Sequence, residues 1–153
     1  MVESVTARVQ IERIYLSELE FKPKDMRQLL ELKWRPKVNI SLASNYDELE
    51  DSCYEVRLQA TLDVSIAADD AVHIKVVQAG VFKIEETPAI NQILAVECPN
   101  ILFPYIRETL DSVMVKASLP PFALAPVNFR EVVQSALEQN KPITPPYSKQ
   151  VVN

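Results

Sequence analysis

The chain has 153 residues, of which 48% are apolar and 24% are charged, and its 16 basic and 21 acidic side chains give a net charge of −5. These values are typical of one globular domain whose core needs no disulfide or metal. The single glycine excludes a glycine-rich phosphate-binding loop, the single histidine excludes a zinc site with several histidine ligands, and the lack of a basic run argues against nucleic acid as a partner.

Alternation of apolar and polar residues predicts four strands in the first half of the chain. The first covers about Ala7–Phe21, and its alternation breaks at residues 13–15, which predicts a bulge. The second is centred on Val38–Leu42. The third, over Tyr54–Ile66, is the most regular, because every second residue is apolar along its whole length.

A turn at Ala67–Ala71 and a fourth strand over Val72–Ile84 complete the predicted sheet. The connections between successive strands are of hairpin type, so we expect the sheet to be antiparallel. One face would be buried and the other charged, apart from apolar spots of the kind that often meet a partner, at Tyr15, Val77 and Val81.

The second half of the chain changes to a helical period. Thr87-Pro88 has the composition of a helix start, and Pro99 and Pro104 predict a short helix, a break, and a longer helix that ends near Ser118. The apolar residues that recur every three or four positions in the longer helix are Leu102, Ile106, Leu110, Val113 and Ala117.

Prolines shape the rest of the chain. Three of them predict an extended connector over Leu119–Val127, and Asn128–Glu131 resembles a capping box that opens a last helix to about Asn140. We therefore expect one domain over residues 1–141 and a flexible tail over residues 142–153. Strands followed by helices predict an α+β fold, with a four-stranded antiparallel sheet and the helices packed on one face.

No arrangement typical of a catalytic or metal site is found. The acidic residues of 47–51 and 85–86 fall in predicted loops, His73 falls on the polar face of a strand, and Cys53 and Cys98 form no CxxC motif. We therefore expect no enzyme activity, no metal and no cofactor. The chain shows no export signal and no apolar stretch long enough to span a membrane, which predicts a cytoplasmic protein with free thiols.

Aromatic residues recur beside prolines outside the predicted strands, as at Trp34, Tyr105 and Phe129. Rings on stiff, irregular segments can line a groove for apolar peptide segments, because each ring offers a large contact area at a low entropic cost. The alternative is that these rings seal the core between sheet and helices.

Cys98–Glu108 and Leu124–Phe129 closely resemble signatures of the SecB family of bacterial protein-export chaperones. The resemblance covers about residues 8–137 in the family's order and spacing. It implies an α+β homotetramer, a dimer of dimers, with no ATPase activity. Such a protein holds unfolded secretory precursors and passes them to the motor SecA. Four shorter segments share the resemblance: Val9–Tyr15, Trp34–Val38, Tyr54–Val56 and Val76–Phe82.

The resemblance also implies roles for individual residues. The SecA-facing positions are Glu18, Lys22 and Lys75, where the family presents acidic residues and this chain keeps one. Ile74, Val76 and Gln78 are expected to influence oligomerisation, although period-two burial would place the first two in the core of one subunit. The client-binding groove is expected to be lined by Trp34, Val38, Leu102, Phe103, Tyr105 and Phe122.

Three hypotheses for the function follow. The first is an ATP-independent holdase for unfolded precursors. The second is a SecB-like chaperone dedicated to the antitoxin of a toxin–antitoxin system. The third, from another class, is a small-molecule enzyme or carrier that uses the aromatic groove. Suppression of aggregation of several unrelated proteins without nucleotide separates the first from the others.

Overall fold

A computed structural model describes residues 9–138 and 146–152, and side chains for residues 9–134. The strands are β1 (Val9–Pro23), β2 (Lys37–Glu48), β3 (Cys53–Ile66), β4 (Asp69–Ile84) and β5 (Pro146–Val152). The helices are α1 (Met26–Glu31), α2 (Ile90–Gln92), α3 (Cys98–Lys116) and α4 (Phe129–Glu138), and a π-helical turn over Ile93–Glu97 joins α2 to α3.

All five strands form one antiparallel sheet in the order β1-β4-β3-β2-β5. Two hairpins connect β2 to β3 and β3 to β4, whereas the connection that contains α1 carries the chain from the β1 edge across to β2. Helix α3 packs on β3 and β4, so the helices cover one face of the sheet. The predicted α+β class and the four antiparallel strands are confirmed.

The fifth strand was not predicted. The sequence predicted a loose tail from Pro142, but Pro146–Val152 pairs with Lys37–Ala43 of β2. The prolines that oppose a helix are compatible with an edge strand, because a proline at the first position of such a strand removes no essential hydrogen bond. Residues 142–145 lie outside the described residues, so the domain boundary at residue 141 stays a prediction.

The edge strand β1 is irregular, as its sequence predicted. Its register against β4 shifts between Ile11 and Arg13, at the edge of the predicted bulge, and again between Leu16 and Glu18, which was not predicted. Each shift inserts an extra residue and reverses which residues face the helices. Leu16 and Leu19 consequently both lie on the helix side of the sheet, opposite Gln78 and Val76.

The β3–β4 turn is tighter than predicted. Only Ala67 and Ala68 lie outside the strands, and both have left-handed backbone angles, with φ of 53° and 68°. Positive φ at both positions is typical of the type I′ turn, whose twist matches that of the two strands it joins. Alanine adopts these angles at a steric cost that glycine would avoid.

The predicted break in the helical region is wrong. The backbone stays helical from Ile90 to Lys116, with Pro99 in the first turn of α3 and Pro104 inside it. Leu102, Ile106 and Leu110 are completely buried, so their packing offsets the hydrogen bond that Pro104 cannot donate.

The ends of the long helix and of the connector follow the sequence closely. Ser118 has φ of 63°, and the N–H of Leu119 donates to the carbonyl of Met114 at 2.9 Å, which closes α3 with a Schellman motif near the predicted end. The connector is held by Asp111, whose Oδ1 accepts hydrogen bonds from the backbone of Phe122 and Ala123. The predicted cap of α4 is confirmed, because residue 128 is an asparagine whose Oδ1 accepts from the N–H of residue 131 at 3.2 Å.

Candidate client and partner surfaces

The six residues of the expected client groove do not form one open surface in the subunit. Val38 and Leu102 are 0% exposed, and Phe122 and Phe103 are also buried, so these four belong to the core between sheet and helices. Val38 is buried because alternation along β2 directs it to the helix side. Solvent reaches only Trp34, which is half-buried against the core, and Tyr105, which is 47% exposed on α3.

The aromatic cluster anchors α4. The rings of Phe103 and Phe129 meet edge to face with centroids 6.0 Å apart, and both are buried. These two rings therefore seal the core between sheet and helices, which was the alternative to a role in the client groove.

Sequence reasoning missed a row of exposed apolar side chains on β1. Ile11, Leu16 and Leu19 lie on the helix side of the sheet and are 43–48% exposed, because α3 covers β3 and β4 and leaves the edge strand open. The row was not predicted because the two register shifts in β1 interrupt the alternation of apolar and polar residues that would reveal it. On the opposite face, Tyr15 is exposed as expected, whereas Val77 is buried.

Further exposed apolar side chains lie outside the sheet. Leu30 and Leu32 are about half exposed at the end of α1, and they precede Trp34 in the same segment. Tyr105 and Val115 are exposed on α3, and Val115 is one of the residues that line a shallow open groove between Pro104 and Pro121. Surfaces of this kind are typical of sites for another polypeptide.

The residues expected to influence oligomerisation lie beneath the helices. Ile74 and Val76 are completely buried in the subunit, as the core alternative predicts. Gln78 is 4% exposed and lies between Leu16 of β1 and Leu58 of β3. Within the described residues its side-chain amide forms no hydrogen bond, which is costly for a buried polar group.

The three expected SecA-facing residues lie on the face of the sheet away from the helices. Lys75 pairs with Glu18 at 3.3 Å between Nζ and Oε2, and Lys22 pairs with Glu20. The hydrogen bond to Glu20 raises the pKa of Lys22. Both lysines therefore neutralise acidic neighbours on their own chain.

The same face carries a histidine–carboxylate contact and an arginine bound to two carboxylates. His73 Nδ1 lies 2.7 Å from Asp63 Oδ1, and Arg57 binds Asp47, Glu55 and Asn45. Positive and negative side chains thus alternate over this face. The described side chains of this face form no continuous acidic patch.

The thiol of Cys98 is inert by position. Burial, and then the charge of Glu97, raises its pKa to about 12, so it stays protonated at neutral pH. In the described part of the chain, no three His, Cys, Asp or Glu residues are grouped so that they could hold a metal ion. None of the helices described is both long and apolar enough to cross a membrane.

Comparison with known proteins assigns the family. A family profile described as preprotein translocase subunit SecB matches residues 3–140. Protein-export protein SecB of Methylococcus capsulatus is 36% identical over 141 residues, covering 88% of this chain and 91% of that protein. SecB of Hahella chejuensis is 38% identical over 133 residues, covering 86% and 84%.

A solved structure has the same fold. It is a Mycobacterium tuberculosis SecB-like chaperone in complex with a peptide from an antitoxin, with a TM-score of 0.64 at 21% identity, and the match covers 80% of this chain and 91% of that one. Because the profile spans nearly the whole chain and the relatives exceed 30% identity over most of it, the chain belongs to the SecB family of protein-export chaperones.

Proposed function

We propose that the protein is a cytoplasmic, ATP-independent holdase that binds unfolded secretory precursors and keeps them competent for export. Membership of the SecB family supports the general role. The observation that carries the proposal is the set of exposed apolar side chains around Leu30, Leu32 and Trp34. Preferential binding of the unfolded state requires such a surface and no chemistry.

The client surface is formed by the side chains that solvent reaches. Trp34, Tyr105 and the two leucines at the end of α1 provide contacts, and the four buried groove residues hold the segments that carry them. Burial of one client side chain the size of leucine contributes about 1.5–3 kcal/mol, so several weak subsites give tight but promiscuous binding to a long chain. The net charge of −5 adds a salt-sensitive attraction for basic client segments.

Suppression of aggregation tests this function. We expect the protein to keep several unrelated denatured proteins soluble without nucleotide, and Leu32→Ser to weaken the effect. Leu49→Ser is the matched control, because Leu49 is similarly exposed but lies beside the β2–β3 turn. Protection of a single antitoxin and of nothing else would replace the proposal with the antitoxin-dedicated chaperone, and turnover of a small molecule would replace it with the enzyme.

The proposed assembly is a homotetramer, a dimer of dimers. The edge strand β1 supports it, because one side of its backbone is unpaired among the described residues and Ile11, Leu16 and Leu19 are exposed on its helix side. An exposed apolar edge strand is a surface to which another chain can add, and a second subunit would cover it. The amide of Gln78, which forms no hydrogen bond within the described part of the chain, lies beside this edge. Light scattering at micromolar concentration tests the assembly, and a monomeric mass would contradict it.

Hand-over of clients to SecA is the last part of the proposal. The ion pairs of Lys75 and Lys22 leave the corresponding face nearly neutral. We therefore expect a weaker contact with a typical SecA than an acidic homologue makes.

A further inference from the structure

The outermost strand of the sheet suggests a device that regulates client binding. Strand β5 pairs in antiparallel register with Lys37–Ala43 of β2. Among the described strands it has β2 as its only neighbour. Its seven residues therefore occupy an edge to which an extended segment of another chain could otherwise add.

Strand β5 is the most weakly held strand of the sheet. Strands β1, β3 and β4 have 14 to 16 residues, and β2 has 12 and is paired on both sides over part of its length. A short strand with one neighbour is stabilised by a single ladder of hydrogen bonds. The free-energy cost of ordering each of its residues is about as large as the gain from those bonds. Such a strand opens locally without unfolding the domain.

Part of the β2 edge has no paired neighbour among the described residues. The pairing with β5 ends where Pro146 meets Ala43, whereas β2 continues to Glu48. Proline has no N–H to donate, which favours an end to the ladder at this point. Within the described chain, Ser44–Glu48 pairs with β3 and with no strand on its other side. An incoming strand can pair here first and then displace β5.

We propose that β5 is a built-in competitor that occupies the β2 edge in place of an extended client segment and is displaced when a client binds. The inference rests on the proposed holdase function. Pairing through the backbone suits a chaperone, because main-chain hydrogen bonds require no particular client sequence. Clients without a free extended segment would be rejected, since they cannot replace the ladder that β5 forms.

A shortened variant that stops after Asn140 tests the proposal. The probe is a permanently unfolded protein, reduced and carboxymethylated α-lactalbumin. If β5 occupies the edge nine-tenths of the time, its removal should lower the apparent Kd about tenfold. An affinity that is unchanged within about twofold, or one that is weaker, would overturn the proposal.

A matched pair of variants makes the same test in the full-length chain. Lys149→Pro/Gln150→Pro removes one N–H from each of the two alternate frames, so it should disrupt the ladder and tighten binding of the probe, whereas Lys149→Thr/Gln150→Thr removes the same charge, retains both N–H groups, and should not tighten it. Equal effects of the two substitutions would show that charge, and not strand pairing, controls affinity, which would contradict the proposal.

Added peptides separate this inference from the holdase function. A peptide of residues 146–152 should bind the shortened variant and compete with the probe, and N-methylation of alternate residues should abolish binding in one of the two possible frames. Failure of the peptide to bind, while the full chain still suppresses aggregation, would refute the competitor and leave the function intact. Loss of aggregation suppression in both chains would refute the holdase itself.

Discussion

Lys75 forms an ion pair with Glu18, at 3.3 Å between Nζ and Oε2, so the one acidic residue retained at the expected SecA-facing positions is already neutralised by a second member of the same set. Strand pairing brings the two together, because Glu18 lies opposite Val77 and two residues before Glu20, the partner of Lys75, so Glu18 and Lys75 are diagonal neighbours on one face of the β1–β4 ladder. The electrostatic character of the face therefore depends on the lysines.

Reversal of these charges should strengthen binding to SecA. Lys22→Glu/Lys75→Glu turns a nearly neutral face acidic, and we expect affinity for a typical SecA to rise about two- to tenfold at low salt and to lose the gain at high salt. Titration calorimetry at two salt concentrations measures this. Lys24→Glu/Lys33→Glu makes the same charge change in the connection between β1 and β2 and should have a smaller effect. An equal gain in affinity there would show that net charge, and not the charge of this face, controls binding.

Gln78 should control assembly and not subunit folding. Its buried amide has no hydrogen bond among the described residues, so Gln78→Met should leave subunit stability unchanged or raise it by about 1–3 kcal/mol. If the amide is satisfied across the interface, the same substitution should shift the mass distribution towards smaller species in light scattering. A stable tetramer with unchanged dissociation would show that Gln78 only fills the core.

The β3–β4 turn offers a stabilising substitution. Ala68 has φ of 68°, so Ala68→Gly relieves backbone strain and should raise the free energy of unfolding by about 0.5–1 kcal/mol after the entropic cost of glycine is subtracted. Ala43→Gly is the control: Ala43 is paired with Gln59 in the regular part of β2, and glycine there should destabilise the protein by about 0.5–1 kcal/mol. Thermal or urea unfolding distinguishes the two substitutions. If both change the free energy of unfolding in the same direction, backbone strain at Ala68 is not the cause.

The two cysteines should differ in reactivity. The pKa of Cys98 is raised to about 12, mainly by burial, and its thiol is 0% exposed, whereas Cys53 is half-buried. Iodoacetamide at pH 8 should modify Cys53 in the native protein and Cys98 only after unfolding, because the thiolate is the reactive form. Mass spectrometry of the labelled peptides reads this out, and rapid native labelling of Cys98 would contradict its burial.

The same shift predicts a loss of stability at alkaline pH. The folded pKa of Cys98 lies above its unfolded value, so its contribution is fully present below pH 9 and is lost as the pH rises from 9 towards 12. Cys98→Ala should unfold with a shallower decline in stability across this range than the native chain.

The local patterns predicted the central sheet better than its edges. Period-two alternation fixed Cys53–Ile66 and its neighbours, because one face of each strand is buried. Strand β5 was missed since a short edge strand forms only if another edge accepts it, which no local pattern reveals. The helix break predicted at Pro104 is absent from α3, because packing of Leu102 and Ile106 outweighs one missing hydrogen bond.

Which aromatic residues solvent reaches could not be read from the sequence either. Phe103 and Tyr105 are two residues apart on one helix, and only their orientation towards or away from the sheet separates a core ring from a contact ring. The exposed row on β1 depends on where the helix layer ends, which is a property of the packed fold.

Tyr105 and Phe103 therefore provide the sharpest test of the client surface. Phe103 is 4% exposed and packs edge to face on Phe129, so Phe103→Ala opens a cavity and should destabilise the protein by about 3–5 kcal/mol. Tyr105 is 47% exposed, so Tyr105→Ala should change stability by less than about 1 kcal/mol. Trp34→Ala should fall between the two, because Trp34 is half-buried against the core.

Loss of the exposed ring of Tyr105 should affect client affinity more than it affects stability. Tyr105→Ala should weaken a short apolar peptide by several-fold, whereas a long unfolded client should lose little, because its other contacts keep the vacated subsite at high effective concentration. Fluorescence anisotropy with a ten-residue peptide and with a full-length unfolded protein, at a temperature where each variant is folded, measures both. If Tyr105→Ala leaves the affinity for the short peptide unchanged, the exposed face of α3 does not contact clients, and the client surface reduces to the segment around Trp34.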